Sequence, residues 1–344
     1  MDWIRGEKLG HGSFATVSLA MSSGRSCILP PLMAVKSCEF SLSNSLMREK
    51  LILDELKDCP EIIQCFGETF SFENGEKLYN ILLEYAPGGD LSENLKNFGD
   101  RRLPEFEVRR YTKALLKGLN YIHKFGYVHC DIKLQNILLG ENGAVKIADF
   151  GLAKRVGASE RAGSGCELRG TPLYMSPEMV AGGDQGPPAD IWALGCVVAE
   201  MYGGSPAWRC SDVAGLLMRI GVGEELPEIP GDLSSDGTDF LSRCFVKDPS
   251  KRWTAEMLLD HPFICDQDFE DERLKDQKEY SPRCPFDFPD WVSCSITSLP
   301  SPEYSTESRP WSISPAERLR GIVSGQSQSH GWPVSDDWVT VRTE

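Results

Sequence analysis

Apolar and polar positions alternate from Trp3 to Leu9 and again from Ala15 to Ala20, with a glycine-bearing turn between. A period of two predicts two strands of a hairpin. Met33–Ser37 and Tyr79–Glu84 read as further short strands. Between them, Leu46–Leu56 places Leu46, Ile52, Leu53 and Leu56 near i+3/i+4 spacing, which predicts a helix. After about residue 90 the pattern turns helical: Phe106–His123 carries Val108, Tyr111, Leu115, Leu119 and Ile122 on one stripe, and Ala189–Met201 and Asp236–Phe245 follow. A strand-rich half before a helix-rich half predicts an α+β arrangement of two lobes with a cleft between them. The periodicity stops near residue 265, and from Asp266 onward Ser, Pro, Asp and Glu dominate. That composition predicts a largely disordered tail over 266–344. Four of the chain's 8 tryptophans nevertheless lie there: Trp291, Trp311, Trp332 and Trp338. Asp336–Val341 is therefore read as a short extended segment that docks on the main domain or on a partner. Ser281, Ser301 and Ser314 each precede proline, so each is either a site of proline-directed phosphorylation or an unmodified turn.

The length, 344 residues, suits one two-lobed domain with a modest extension. No apolar run reaches the roughly 18 residues that a membrane span needs. The start, MDWIRGEKLG, shows no signal peptide and no Gly at position 2 for myristoylation. The net charge of −15 argues against a nucleic-acid binder and against attraction to an anionic membrane. Both parts of the chain are acidic; residues 266–344 hold 15 acidic and 8 basic residues. The 12 cysteines form no CxxC pair and are read as free thiols of a cytoplasmic or nuclear protein.

The residue pattern fits phosphoryl transfer, which needs phosphates held, their charge neutralised and a hydroxyl aimed. Leu9-Gly10-His11-Gly12-Ser13-Phe14-Ala15-Thr16-Val17 is a turn whose small residues let backbone N–H groups approach phosphates. Ala34-Val35-Lys36 puts a lysine inside an apolar strand, where a helix glutamate would hold it; Glu49 is preferred over Glu55. In His129-Cys130-Asp131-Ile132-Lys133-Leu134-Gln135-Asn136, Asp131 would orient the attacking hydroxyl, Lys133 would neutralise the γ-phosphate and Asn136 would bind Mg²⁺. Asp149-Phe150-Gly151 supplies a second metal ligand, Asp149, after the strand Val145–Ala148. Glu178, in Gly170-Thr171-Pro172-Leu173-Tyr174-Met175-Ser176-Pro177-Glu178, is expected to be buried and paired with Arg252. Asp190 is expected to cap a helix and to hold the backbone of the Asp131 loop.

Each motif alone is weak, but in this order they resemble the eukaryotic protein kinase family over about residues 3–265. The resemblance implies a bilobal fold, with an N-lobe to about residue 83, a hinge at 84–90 and a C-lobe over 91–265. It implies ATP and Mg²⁺ as cofactors, and Lys133 goes with Ser/Thr specificity. By the same analogy Leu83 is the gatekeeper, Glu84, Tyr85 and Ala86 are the adenine-binding hinge, and Asp90 is a ribose contact. Val17, Ala34 and Leu138 would sandwich the adenine, and Thr171 would touch Asp131 and Lys133. EYAPGGDL, HCDIKLQNILLG, IADFGLAKR, GTPLYMSPEMV and the closing DDWVTVR look most like the small plant mitogen-activated protein kinase kinase kinases of the MEKK-like group. That resemblance implies MAP kinase kinases as protein substrates and a role in signalling.

The departures are Ala15 at the third glycine position, Ser176 in the A-P-E segment, and Cys130 where many kinases have Arg. The missing Arg argues against control through a single loop phosphate, although Ser159, Ser164 and Thr171 remain candidate sites. An alternative reading, a pseudokinase scaffold, requires loss of the lysine, the catalytic aspartate or the metal aspartate, and all three are present.

Overall fold

The computed structural model describes residues 3–12, 15–23, 29–157, 170–182, 185–210 and 212–265, and the backbone of 339–341. Ser159, Ser164 and most of the tail lie outside the described residues.

Five strands, β1 (Trp3–His11), β2 (Thr16–Ser22), β3 (Leu32–Glu39), β4 (Cys65–Glu73) and β5 (Glu76–Glu84), form an antiparallel sheet in the order β1-β2-β3-β5-β4. Because side chains alternate across a strand, β3 serves two faces. Met33 and Val35 join Trp3, Ala20, Leu29 and Leu82 in one apolar cluster. Ala34 and Cys38 face the other way, into the main core with α1 (Asn44–Glu55), and Lys36 shares their side. The sheet curves enough for a side chain on β1 to reach β4. The Arg5 guanidinium on β1 donates to both Glu73 oxygens on β4 at 2.9 Å, to Ser37 Oγ and to Asn80 Oδ1. The sequence pattern misses β4, whose buried positions Thr69 and Ser71 are polar while Phe70 and Phe72 are exposed.

The helical half contains α2 (Leu91–Asn97), α3 (Glu105–Lys124), β6 (Tyr127–Val128), β7 (Ile137–Leu139), β8 (Val145–Ile147), β9 (Lys154–Arg155), α4 (Pro177–Val180), α5 (Pro187–Gly203), α6 (Val213–Gly221), α7 (Ser235–Cys244), α8 (Ala255–Leu259) and α9 (Pro262–Cys265). β6 pairs with β9 and β7 with β8. α3 buries the predicted stripe of Val108, Tyr111, Leu115, Leu119 and Ile122. α5 differs: it is buried nearly all round, from Ala189 to Met201, as the central helix of a large core. Gly195 lets α7 approach, since a Cβ there would meet Cys244 Cβ and a Phe245 ring carbon at 2.8 Å. No helix among the described residues is long and apolar enough to cross a membrane.

Val339–Val341 forms β10, which adds antiparallel to β1 as a sixth strand with Trp3 opposite Val341 and Arg5 opposite Val339.

Candidate active site

β3 delivers Lys36 to the cleft, where three groups converge. Lys36 Nζ lies 2.8 and 2.7 Å from the Glu49 oxygens and 2.8 Å from Asp149 Oδ1. Glu49 belongs to the buried stripe of α1, with Leu46, Ile52 and Leu53. Glu55, the other candidate, sits outside and pairs with Arg155 instead. Burial alone would lower the Lys36 ammonium, but the two carboxylates raise it, so it stays charged. Burial would likewise raise Asp149, but Lys36 holds it below the usual carboxylate value. Phe150 is buried beneath, edge-on to His129.

The second cluster surrounds Asp131 in the loop between β6 and β7. Lys133 Nζ donates to Asp131 Oδ2 at 2.6 Å and to Thr171 Oγ1 at 3.1 Å. Thr171 Oγ1 donates to Asp131 Oδ1 at 2.8 Å. Asn136 Nδ2 donates to the Asp131 carbonyl and to Oδ2, so its amide oxygen is the end offered to a cation. Two residues beside these clusters occupy the left-handed backbone region, Cys130 at φ 70° and Asp149 at φ 65°. Such conformations cost about 1–3 kcal/mol each and persist only where surroundings enforce them.

At Cys130 the enforcing contacts come largely from Asp190. It accepts from the His129 N–H at 2.9 Å and the Cys130 N–H at 3.0 Å, and its Oδ2 meets His123 Nε2 at 2.9 Å. Burial would raise this carboxyl, yet its hydrogen bonds and the nearby histidines hold it below the ordinary aspartate value. The expected capping role is corrected: Gly186 is the N-cap residue of α5, and Asp190 lies within the first turn. His129 fastens the loop from its other side. Its Nδ1 accepts from the Asp131 N–H, so Nε2 carries the proton and donates to the Ala148 carbonyl. The sequence reading passed over His123 and His129. Their signal was available: a histidine at the end of α3 and another two residues before the acidic residue.

Arg252 meets Glu178 with a two-pronged contact, Nη1 to Oε1 at 2.6 Å and Nη2 to Oε2 at 2.9 Å. It also donates to the carbonyls of Val246 and Pro188. The expectation that Glu178 is buried is only partly met, for 12% of its side chain stays exposed while Arg252 is fully covered. Replacing Arg252 by Ala leaves several acceptors without a donor, and the expected loss is about 3–5 kcal/mol of unfolding free energy. Denaturant titration checks this; a loss below about 1 kcal/mol would place the pair with ordinary surface ion pairs.

The segment after β5 joins the two halves. Gly88 N–H donates to the Leu139 carbonyl, and Leu139 N–H returns to Gly89. Gly88 has no substitute here, because a Cβ would stand 2.7 Å from the Leu139 carbonyl oxygen. The Glu84 carboxylate pairs with Lys146. Ala34 lies opposite Leu83 across β3 and β5, and Val17 and Leu138 pack against the same core. Asp90 caps α2 through the Glu93 N–H. Leu9 is exposed, and the Gly12 N–H bonds to the Ala15 carbonyl, closing the turn beyond Gly10.

Residues 3–264 match the family described as the protein kinase domain. Mitogen-activated protein kinase kinase kinase 20 of Arabidopsis thaliana is 50% identical over 99% of this chain and 100% of its own length. Mitogen-activated protein kinase kinase kinase 18 of the same plant is 40% identical over 99% of both chains, and kinase kinase kinase 17 is 44% identical over 77% of this chain and 70% of its own. The chain belongs to the protein kinase family, among its mitogen-activated protein kinase kinase kinases. It is a serine/threonine-protein kinase whose strand-rich lobe precedes a helical one. The scaffold alternative is not favoured.

Proposed function

We propose that this kinase transfers the γ-phosphate of ATP to a serine or threonine hydroxyl of a MAP kinase kinase, the substrate tier to which the relatives' names point. The observation that carries the reading is the convergence of Lys36, Glu49 and Asp149 on one side of the cleft and of Asp131, Lys133 and Thr171 on the other.

In this reading the adenine lies between Val17, Ala34 and Leu138, with its edge on the Glu84 carbonyl and the Ala86 N–H, and Leu83 bounds its pocket. Leu9 covers it, Gly10 and Gly12 carry no side chain to keep the phosphates from the turn, and Asp90 reaches the ribose from its capping position. Lys36 binds the phosphates while Glu49 keeps its ammonium aimed. The Asp149 carboxylate and the Asn136 amide oxygen are hard oxygen donors that would hold Mg²⁺. The bound cation supplies charge neutralisation at the phosphate oxygens.

Asp131 accepts the proton of the substrate hydroxyl as its oxygen bonds to the γ-phosphorus. The bond from that phosphorus to the bridging oxygen breaks, and ADP leaves with the electron pair. Lys133 offsets the negative charge on the moving phosphoryl group.

The test is transfer of labelled phosphate from Mg-ATP to a panel of inactivated MAP kinase kinases and to a generic basic protein. Labelling of one or a few panel members on Ser or Thr supports the proposal. Labelling of the generic acceptor alone leaves the kinase and removes the substrate assignment.

A further inference from the structure

β10 occupies a sheet edge that phosphoryl transfer does not use. Its three residues run antiparallel to Trp3–Arg5. Without it the sheet would end at β1, and that stretch would present unpaired N–H and C=O groups, the template on which another strand adds. The segment itself, Val339-Thr340-Val341, is three β-branched residues in succession, which favours extended backbone. It follows a stretch rich in Ser, Gly and Asp that has no such run. The edge also sits at a consequential place. Arg5, in the covered stretch, ties β1 to Glu73, Ser37 and Asn80, and the same strand runs on to Leu9 and Gly10 of the phosphate-binding turn.

We propose that the outer edge of β1 is a strand-docking site, filled by the chain's own C-terminal segment around Val339–Val341, and that this added strand holds in place the strand feeding the phosphate-binding turn. The recognition is main-chain hydrogen bonding to an edge, the mode by which sheets accept extended peptides. The cis assignment rests on the pairing of Val339–Val341 with Trp3–Arg5 of the same chain. Carrying the segment on the same chain makes its encounter with β1 intramolecular, so a short strand suffices where a free peptide of the same length would bind weakly.

The experiment is hydrogen exchange, read by mass spectrometry, on the full chain and on a full chain carrying Val339→Pro with Thr340→Pro. N–H groups of successive strand residues point to opposite sides, so the paired substitution removes one donor aimed at β1 whichever residue provides it. Amides of residues 3–5 are expected to exchange about tenfold faster in the variant, while those of β4 and β5 stay as protected as before. Adding a synthetic peptide of residues 334–344 to the variant is expected to restore the protection saturably. Equal exchange at residues 3–5 in both chains overturns the proposal. Protection that rises with protein concentration, together with a dimer by light scattering, would assign the strand to a second copy and overturn the cis arrangement. Loss of protection throughout β4 and β5 would show that the segment supports the whole sheet, not a docking edge, and would overturn the proposal equally.

Discussion

Asp131→Asn is expected to lower the turnover number by about 10³-fold while nucleotide affinity stays within a factor of about two, a loss in the range of a removed general base. The substitution preserves shape. The side chain is 8% exposed and held by Lys133, Thr171 and Asn136, and an amide can keep one oxygen acceptor for them. What disappears is the negative charge that aims the hydroxyl and takes its proton. In the proposed function nucleotide binding depends on Lys36 and the hinge, which the change does not touch. Initial rates with an inactivated MAP kinase kinase, beside nucleotide titration by fluorescence, measure both quantities. Turnover near wild type would remove Asp131 from the mechanism. Loss of nucleotide binding would show that the substitution had disturbed the cleft as a whole.

Lys36→Met is expected to have two separable consequences. Phosphates lose their positioning cation, and turnover falls by about 10²–10³-fold, as for removal of one preorganised charge from an active site. Glu49, with a side chain 3% exposed, also loses its partner. An uncompensated buried carboxylate costs about 3–5 kcal/mol, or takes up a proton instead. Burial already pushes the Glu49 carboxyl up, so removal of Lys36 drives it further the same way. The Lys36→Met, Glu49→Gln double variant should therefore recover most of the lost stability and none of the lost activity. Thermal unfolding and phosphate transfer on the two variants check this. Recovery of both properties together would mean that Lys36 serves the fold alone.

The meeting of these side chains was legible in the sequence because the groups are clustered along the chain. Asp131, Lys133 and Asn136 lie within one loop, and Asp149 follows a strand that ends beside it. Lys36 and Glu49 are separated by 13 residues, few enough for the apolar stripe of α1 to single out Glu49 from Glu55. The supports of those groups were harder to read. Asp190 meets His129 across 61 positions and His123 across 67, and nothing local marks such a carboxylate as an anchor instead of a cap. Strand β4 was hidden for another reason: its buried positions, Thr69 and Ser71, are polar, while Phe70 and Phe72 between and beyond them are exposed, so the alternation marks the wrong face. The ion pair that joins Arg5 to Glu73 depends on the curvature of the sheet, which no alternation of residue types encodes.

Helix α5 has a consequence that belongs to the time of synthesis. It is apolar on every side, so no face of it can rest against water. Its covers come from both directions along the chain: α3, made earlier, and α7, whose last residue is Cys244. Roughly 40 residues separate the end of α5 from the end of α7, which at about 5–20 residues per second is roughly 2–8 s of translation. Throughout that interval the nascent chain carries a helix built for burial without its second cover.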